Sequence, residues 1–154
     1  MVMSQELPSL FGRFTALHRD HQHLDGLVKS LVAMCDALSE RPDVAPPPEL
    51  DPEKLIPEWG IDLSRHFAAE EGMRYFGTLV AEQPALSAAI GDLRADHTAM
   101  LEAIERLLQL APDEGRRDEL VLRTRDLLDR FRKHERAETL LLREFFDVYG
   151  RDNP

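Results

Sequence analysis

Six histidines are spread over the 154 residues, and two of them stand in the same local pattern. Leu63-Ser64-Arg65-His66-Phe67-Ala68-Ala69-Glu70 places a histidine four residues before a glutamate, and His134-Glu135-Arg136-Ala137-Glu138 does so again. On a helix these two positions lie one above the other on one face, about 6 Å apart along the axis. An imidazole nitrogen and a carboxylate oxygen then point into the same space, where a metal ion could accept both. One such pair alone is more often a satisfied core histidine beside a surface glutamate. Here each pair is preceded by a further histidine, His21 in Leu17-His18-Arg19-Asp20-His21 and His97 in Leu93-Arg94-Ala95-Asp96-His97. The series is His, His-x-x-x-Glu, written twice.

The elements that must position these side chains are helices. In the first, Leu10, Phe14, Leu17, Leu24, Val28, Leu31 and Cys35 recur at steps of three and four, with His21 filling the gap in the line. His18 and His23 fall off that line, and His18 reads as a group beside the site or on the surface. The second carries Ile56, Trp59, Leu63, His66, Glu70 and Met73 on one line. The third carries Leu86, Ile90, Leu93, His97, Met100 or Leu101, Ile104, and Leu107 or Leu108. The fourth carries Leu120, Thr124, Leu127, Phe131, His134, Glu138, Leu141, Phe145 and Val148. A buried carboxylate without a partner is costly, so Glu70 and Glu138 on inward lines call for a cation. Glu71 is turned about 100° from Glu70 and reads as solvated.

The expected helices span about 9–40, 52–76, 84–110 and 114–149. Arg41 to Asp51, with Pro46-Pro47-Pro48, forms an extended connection, because three prolines cannot continue a helix. Asp51-Pro52-Glu53 is a helix start, although Pro57 could place the firm start a turn later; Gly77 is a candidate stop, and Ala111-Pro112-Asp113-Glu114-Gly115 is a turn. No strand-like alternation occurs. The expected fold is all-α, an up-down-up-down antiparallel four-helix bundle in one domain, residues 1–154. Asp20-His21 aligns with Asp96-His97, and Arg65-His66 with Lys133-His134. This predicts an internal two-fold repeat, the longer first connection absorbing the difference in spacing.

Composition narrows the function. A hydrophobic fraction of 43% with 31% charged residues is ordinary for a globular chain. The formal charge of -10 argues against nucleic acid and against an anionic membrane surface. The single cysteine, Cys35, allows no intrachain disulfide and no cysteine-based metal site, and on its apolar face it reads as a buried thiol. Neither a leader nor a membrane-spanning run is read, so a reducing cytoplasm is the expected location. Four imidazoles and two carboxylates exceed what one structural zinc takes. They suit two ions, and imidazole with carboxylate fits iron, manganese or zinc; a dinuclear iron centre is the choice made here. Ferritin-like bundles use Glu-x-x-His, the reverse order.

On these residues, over about 10–150, the chain resembles the hemerythrin-like (HHE cation-binding) family. The resemblance implies two iron ions in the bundle core with an oxo or hydroxo bridge. His21 and His66 would take one iron, His97 and His134 the other, and Glu70 and Glu138 would bridge them. Oxygen-carrying hemerythrins have a fifth histidine four residues before the third-helix ligand, where this chain has Leu93. Their last carboxylate is an Asp five residues after the fourth-helix histidine, where this chain has Thr139. The pattern is closer to four-histidine, two-glutamate members, among them di-iron proteins of nitric-oxide stress and iron–sulfur repair. Those repair proteins carry an N-terminal cysteine domain for which this chain has no room. Three functions follow as expectations. One is a module binding dioxygen or nitric oxide for sensing, storage or delivery, its open positions lined by Leu24, Met100, Leu101 and Phe131. The other is a di-iron redox enzyme reducing nitric oxide, peroxide or dioxygen with an external electron donor, His18 or Glu71 serving as acid or base if they turn inward. A third is iron-dependent structure that signals to a partner.

Overall fold

A computed structural model of the chain describes the backbone of residues 7–72 and 75–152, and the side chains of residues 21–72 and 75–147. Leu10, Phe14, Leu17, His18, Asp20, Met73 and Val148 therefore lie outside the described side chains. Four long helices account for most of the chain: α1 (Leu7–Glu40), α2 (Pro52–Glu71), α4 (Ser87–Leu110) and α5 (Arg117–Asp152), with a short α3 (Phe76–Glu82) between the second and third. Among the described residues there is no strand. Helix α1 packs mainly against α2 and α5, and α4 against the same two, which closes the four long helices into a ring. That is the contact pattern of a four-helix bundle.

Local chemistry sets the helix ends. Asp51 caps α2, its side chain accepting from the Glu53 N–H at 3.0 Å, with Pro52 in the first turn. The helix starts there and runs on through Pro57. Residues 84–86 form a 3-10 turn ahead of α4, and Glu114–Arg116 form another ahead of α5, where Asp113 accepts from the Gly115 N–H at 3.1 Å.

Helix α2 is shorter than the span 52–76 read from the periodicity. It ends at Glu71, and Gly72 leaves the helical region with φ -62° and ψ 158°. A glycine gives up about 1 kcal/mol of helix preference relative to alanine, so the break costs little there. Gly77, the expected stop, instead sits inside α3. The break lets the chain turn back so that Tyr75, Phe76 and Leu79 are buried against Leu86, Ile90, Leu93, Leu141 and Phe145.

That cluster is one of two. The larger holds Leu24 to Leu38 of α1, Leu55 to Phe67 of α2, Met100 to Leu110 of α4 and Leu120 to Phe131 of α5. Among the described residues the inward lines read from the sequence are buried, with His21 partly so. Where two residues competed for a position, Met100 is buried with Leu101 at its edge, and Leu107 is buried while Leu108 is 39% exposed. On α4 and α5 the histidines and the glutamate of the series fall between the two clusters. Cys35 is buried, and burial pushes its thiol up to about 11, so the reactive thiolate is disfavoured. None of the described helices is long and apolar enough to cross a membrane.

Candidate metal centre

His66 and Glu70 lie one turn apart near the end of α2, and His134 and Glu138 one turn apart in α5. His97 comes from α4 and His21 from α1. Five of the six are almost wholly enclosed, at 3% exposure or less, while the His21 side chain retains 19%. The bundle thus brings together all six residues singled out in the sequence. His21 Nε2 lies 2.8 Å from His66 Nε2, and His97 Nε2 lies 3.0 Å from His134 Nε2. Four imidazoles therefore present the same ring nitrogen to one small volume.

Glu70 stands in the middle of them. Its Oε1 lies against His66 Nε2 and 3.9 Å from His21 Nε2, and its Oε2 lies 3.2 Å from His97 Nε2. Glu138 is placed differently. Its Oε2 is 3.9 Å from both His21 Nε2 and His134 Nε2, and its Oε1 accepts a hydrogen bond from the Tyr75 phenol at 2.9 Å. Donor atoms fall into two overlapping groups, each within 4.8 Å: His21, His66, Glu70 and Glu138, and then Glu70, His97 and His134. Glu70 belongs to both.

The outer face of the site is held by Asp96, which the sequence pattern marks only as a neighbour of His97. Asp96 Oδ2 accepts from His134 Nδ1 at 2.9 Å, and its Oδ1 accepts from Arg130 Nε at 2.6 Å. A hydrogen bond on Nδ1 leaves the Nε2 lone pair for the interior, the arrangement that metal-ligating histidines use. His97 Nδ1 lies 3.3 Å from Glu71 Oε1, outside hydrogen-bond geometry, while Glu71 stays exposed to solvent. The Phe67 ring stacks on His97 with centroids 3.9 Å apart and planes 8° from parallel, which fixes the imidazole from its face. His23, off the inward line, pairs at 3.0 Å with Asp62 on the surface.

The charges of the site act on one another strongly. Burial opposes ionisation of Glu70, but the imidazoles of His21, His66 and His97 that face it outweigh this and hold the carboxyl well below its usual range. Burial pushes the Glu138 carboxyl up, and the negative Glu70 beside it adds to that. His21 loses by burial but gains more from Glu70, Glu138 and Glu135, and is raised to about 8. Burial lowers His134, with the neighbouring His97 acting in the same direction. Burial and the charges of Glu138 and Glu70 keep the Tyr75 phenol protonated.

A cation resolves this set. Both oxygens of Glu70 and the Oε2 of Glu138 are buried without a hydrogen-bond partner. Unpartnered buried carboxylates are strongly disfavoured unless they coordinate a metal or are neutralised. The donors are imidazole and carboxylate, a set that suits iron, manganese or zinc. The residues present therefore fit a metal site. No curated protein and no solved structure matches the chain. The profile of the hemerythrin HHE cation binding domain matches residues 12–145, most of the sequence and all six of these side chains, and the chain belongs to that family.

Proposed function

We propose that this chain is a single-domain di-iron protein that binds a small diatomic ligand, dioxygen or nitric oxide, for sensing, storage or delivery. The observation that carries the reading is Glu70. It is fully buried, its two oxygens make no hydrogen bond, and they face the imidazoles of His21, His66 and His97. The proposed ligands are His21, His66, Glu70, His97, His134 and Glu138. Bound iron would supply affinity for a diatomic ligand and the capacity to exchange electrons with it. The protein residues orient the imidazoles through Asp96 and Phe67 and exclude water by the two apolar clusters on either side. Leu24, Met100 and Phe131, buried in the larger cluster, favour an apolar ligand over a charged one.

The same reading includes the topology. The larger cluster follows the ligand in α1 and α4 and precedes it in α2 and α5. This supports an up-down-up-down course, with an approximate two-fold repeat relating His21, His66 and Glu70 to His97, His134 and Glu138. The alternative function, a di-iron redox enzyme fed by an external electron donor, uses the same ligands. The visible spectrum of anaerobically iron-loaded protein separates the two. A band that appears on admitting air and fades when air is removed is the expected result. An irreversible shift favours the redox enzyme, and the lack of any iron-dependent band removes the di-iron reading.

A further inference from the structure

Glu70 and Glu138 occupy equivalent places in the repeated motif, yet their carboxylates are held differently. Both oxygens of Glu70 face imidazole nitrogens, Oε1 against His66 and Oε2 3.2 Å from His97. Only Oε2 of Glu138 does so, at 3.9 Å from His21 and from His134. Its Oε1 is turned to the Tyr75 phenol at 2.9 Å. Tyr75 is 2% exposed and is fixed from several sides. It sits immediately before α3, its N–H donates to the Gly72 carbonyl at 3.1 Å, and its ring packs on Phe76 with centroids 5.2 Å apart. No counterpart to this donor stands at Glu70 among the described residues.

We propose that Tyr75 is a positioning residue that holds Oε1 of Glu138 away from the imidazoles, so that Glu138 would offer the metal set a single oxygen where Glu70 would offer two. The proposal rests on the di-iron reading and refines it. It breaks the symmetry of the repeat: His97 and His134 would share a metal with fewer protein donors than His21 and His66. The break after Glu71 is what delivers the donor, since Tyr75 on a continuous α2 would sit one turn beyond Glu71 and away from α5.

Cobalt(II) tests this without depending on any reaction. It reports coordination number through its visible d–d absorption, which weakens as a five-coordinate ion becomes six-coordinate. Tyr75→Phe removes only the phenol oxygen and keeps the ring. The whole chain and Y75F are loaded anaerobically with cobalt(II), and the spectrum and the rate of release to a chelator are measured. The expected result for Y75F is a weaker d–d band, because Glu138 Oε1 now joins the metal, and release slowed by about tenfold, the scale of one hydrogen bond to a charged group. An unchanged band, or faster release with the band unchanged, overturns the proposal while the metal site stands. Failure of the unaltered chain to bind cobalt(II) at all overturns both.

Discussion

Asp96 connects the surface to the interior of the site through one carboxylate, taking Arg130 on one oxygen and His134 on the other. Loss of such an outer partner typically costs 10–100-fold in metal affinity. Asp96→Ala is therefore expected to weaken iron binding by about 10–100-fold. Asp96→Asn, which can still accept from His134 Nδ1, should fall between it and the unaltered chain. Competition with a calibrated chelator measures both, and equal affinities for all three chains would remove the role. The six proposed ligands were legible because their spacing alone puts them on inward lines. Asp96 was seen only as a neighbour of His97, since its partner His134 lies on another helix and no local period links them. Tyr75 was missed for a different reason. The three-and-four pattern of α2 runs smoothly through Met73, and nothing in it marks that Gly72 would divert the chain and aim the phenol at Glu138.

Helices α2 and α4 approach closely at Gly60, where an added Cβ would stand 2.9 Å from Ile104 Cγ2. That methyl is attached to the Cβ of Ile104, whose χ1 has one strongly preferred rotamer in a helix, so it yields only at a cost. Gly60→Ala is expected to destabilise the fold by about 1–3 kcal/mol, the usual cost of overpacking, although alanine is the better helix former. Ile104→Ala alone should cost about 2–5 kcal/mol. The double variant should cost less than the two together, because each relieves the defect of the other. Denaturant titrations supply the comparison, and strict additivity would mean that the helices do not meet there. The long helices were readable from periodicity and from punctuation such as Asp51-Pro52. Helix α3 was not: its seven residues hold too few turns for a period, and its burial depends on partners in α4 and α5. Gly60 likewise sits in an ordinary helical pattern, and its closeness to α4 is a property of the packed pair.

For the molecule as a whole, a core built around four imidazoles and two carboxylates makes stability depend on pH in opposite ways with and without metal. In the ion-free protein His21 is raised to about 8, so the stability it contributes is fully present below its unfolded value near 6.5 and is lost as pH rises through 8. Glu138 acts in the same direction, since a carboxyl raised by burial and by Glu70 disfavours the fold as it ionises. Glu70, held low, gives stability that disappears only in acid. The melting temperature of the ion-free chain is therefore expected to fall between about pH 6.5 and 8.5. The gain on adding metal should grow over the same range, because ligands must shed protons to bind. A metal-induced gain that shrinks with rising pH would contradict the site.

The central claim is that Glu70 and its five companions hold two iron ions, and its most direct test is an anaerobic ferrous titration of the unaltered chain beside Glu70→Ala, with bound iron counted per chain. Two ions per chain for the former and a loss of one or both for the latter are the predicted result. An iron content that Glu70→Ala leaves unchanged would contradict it.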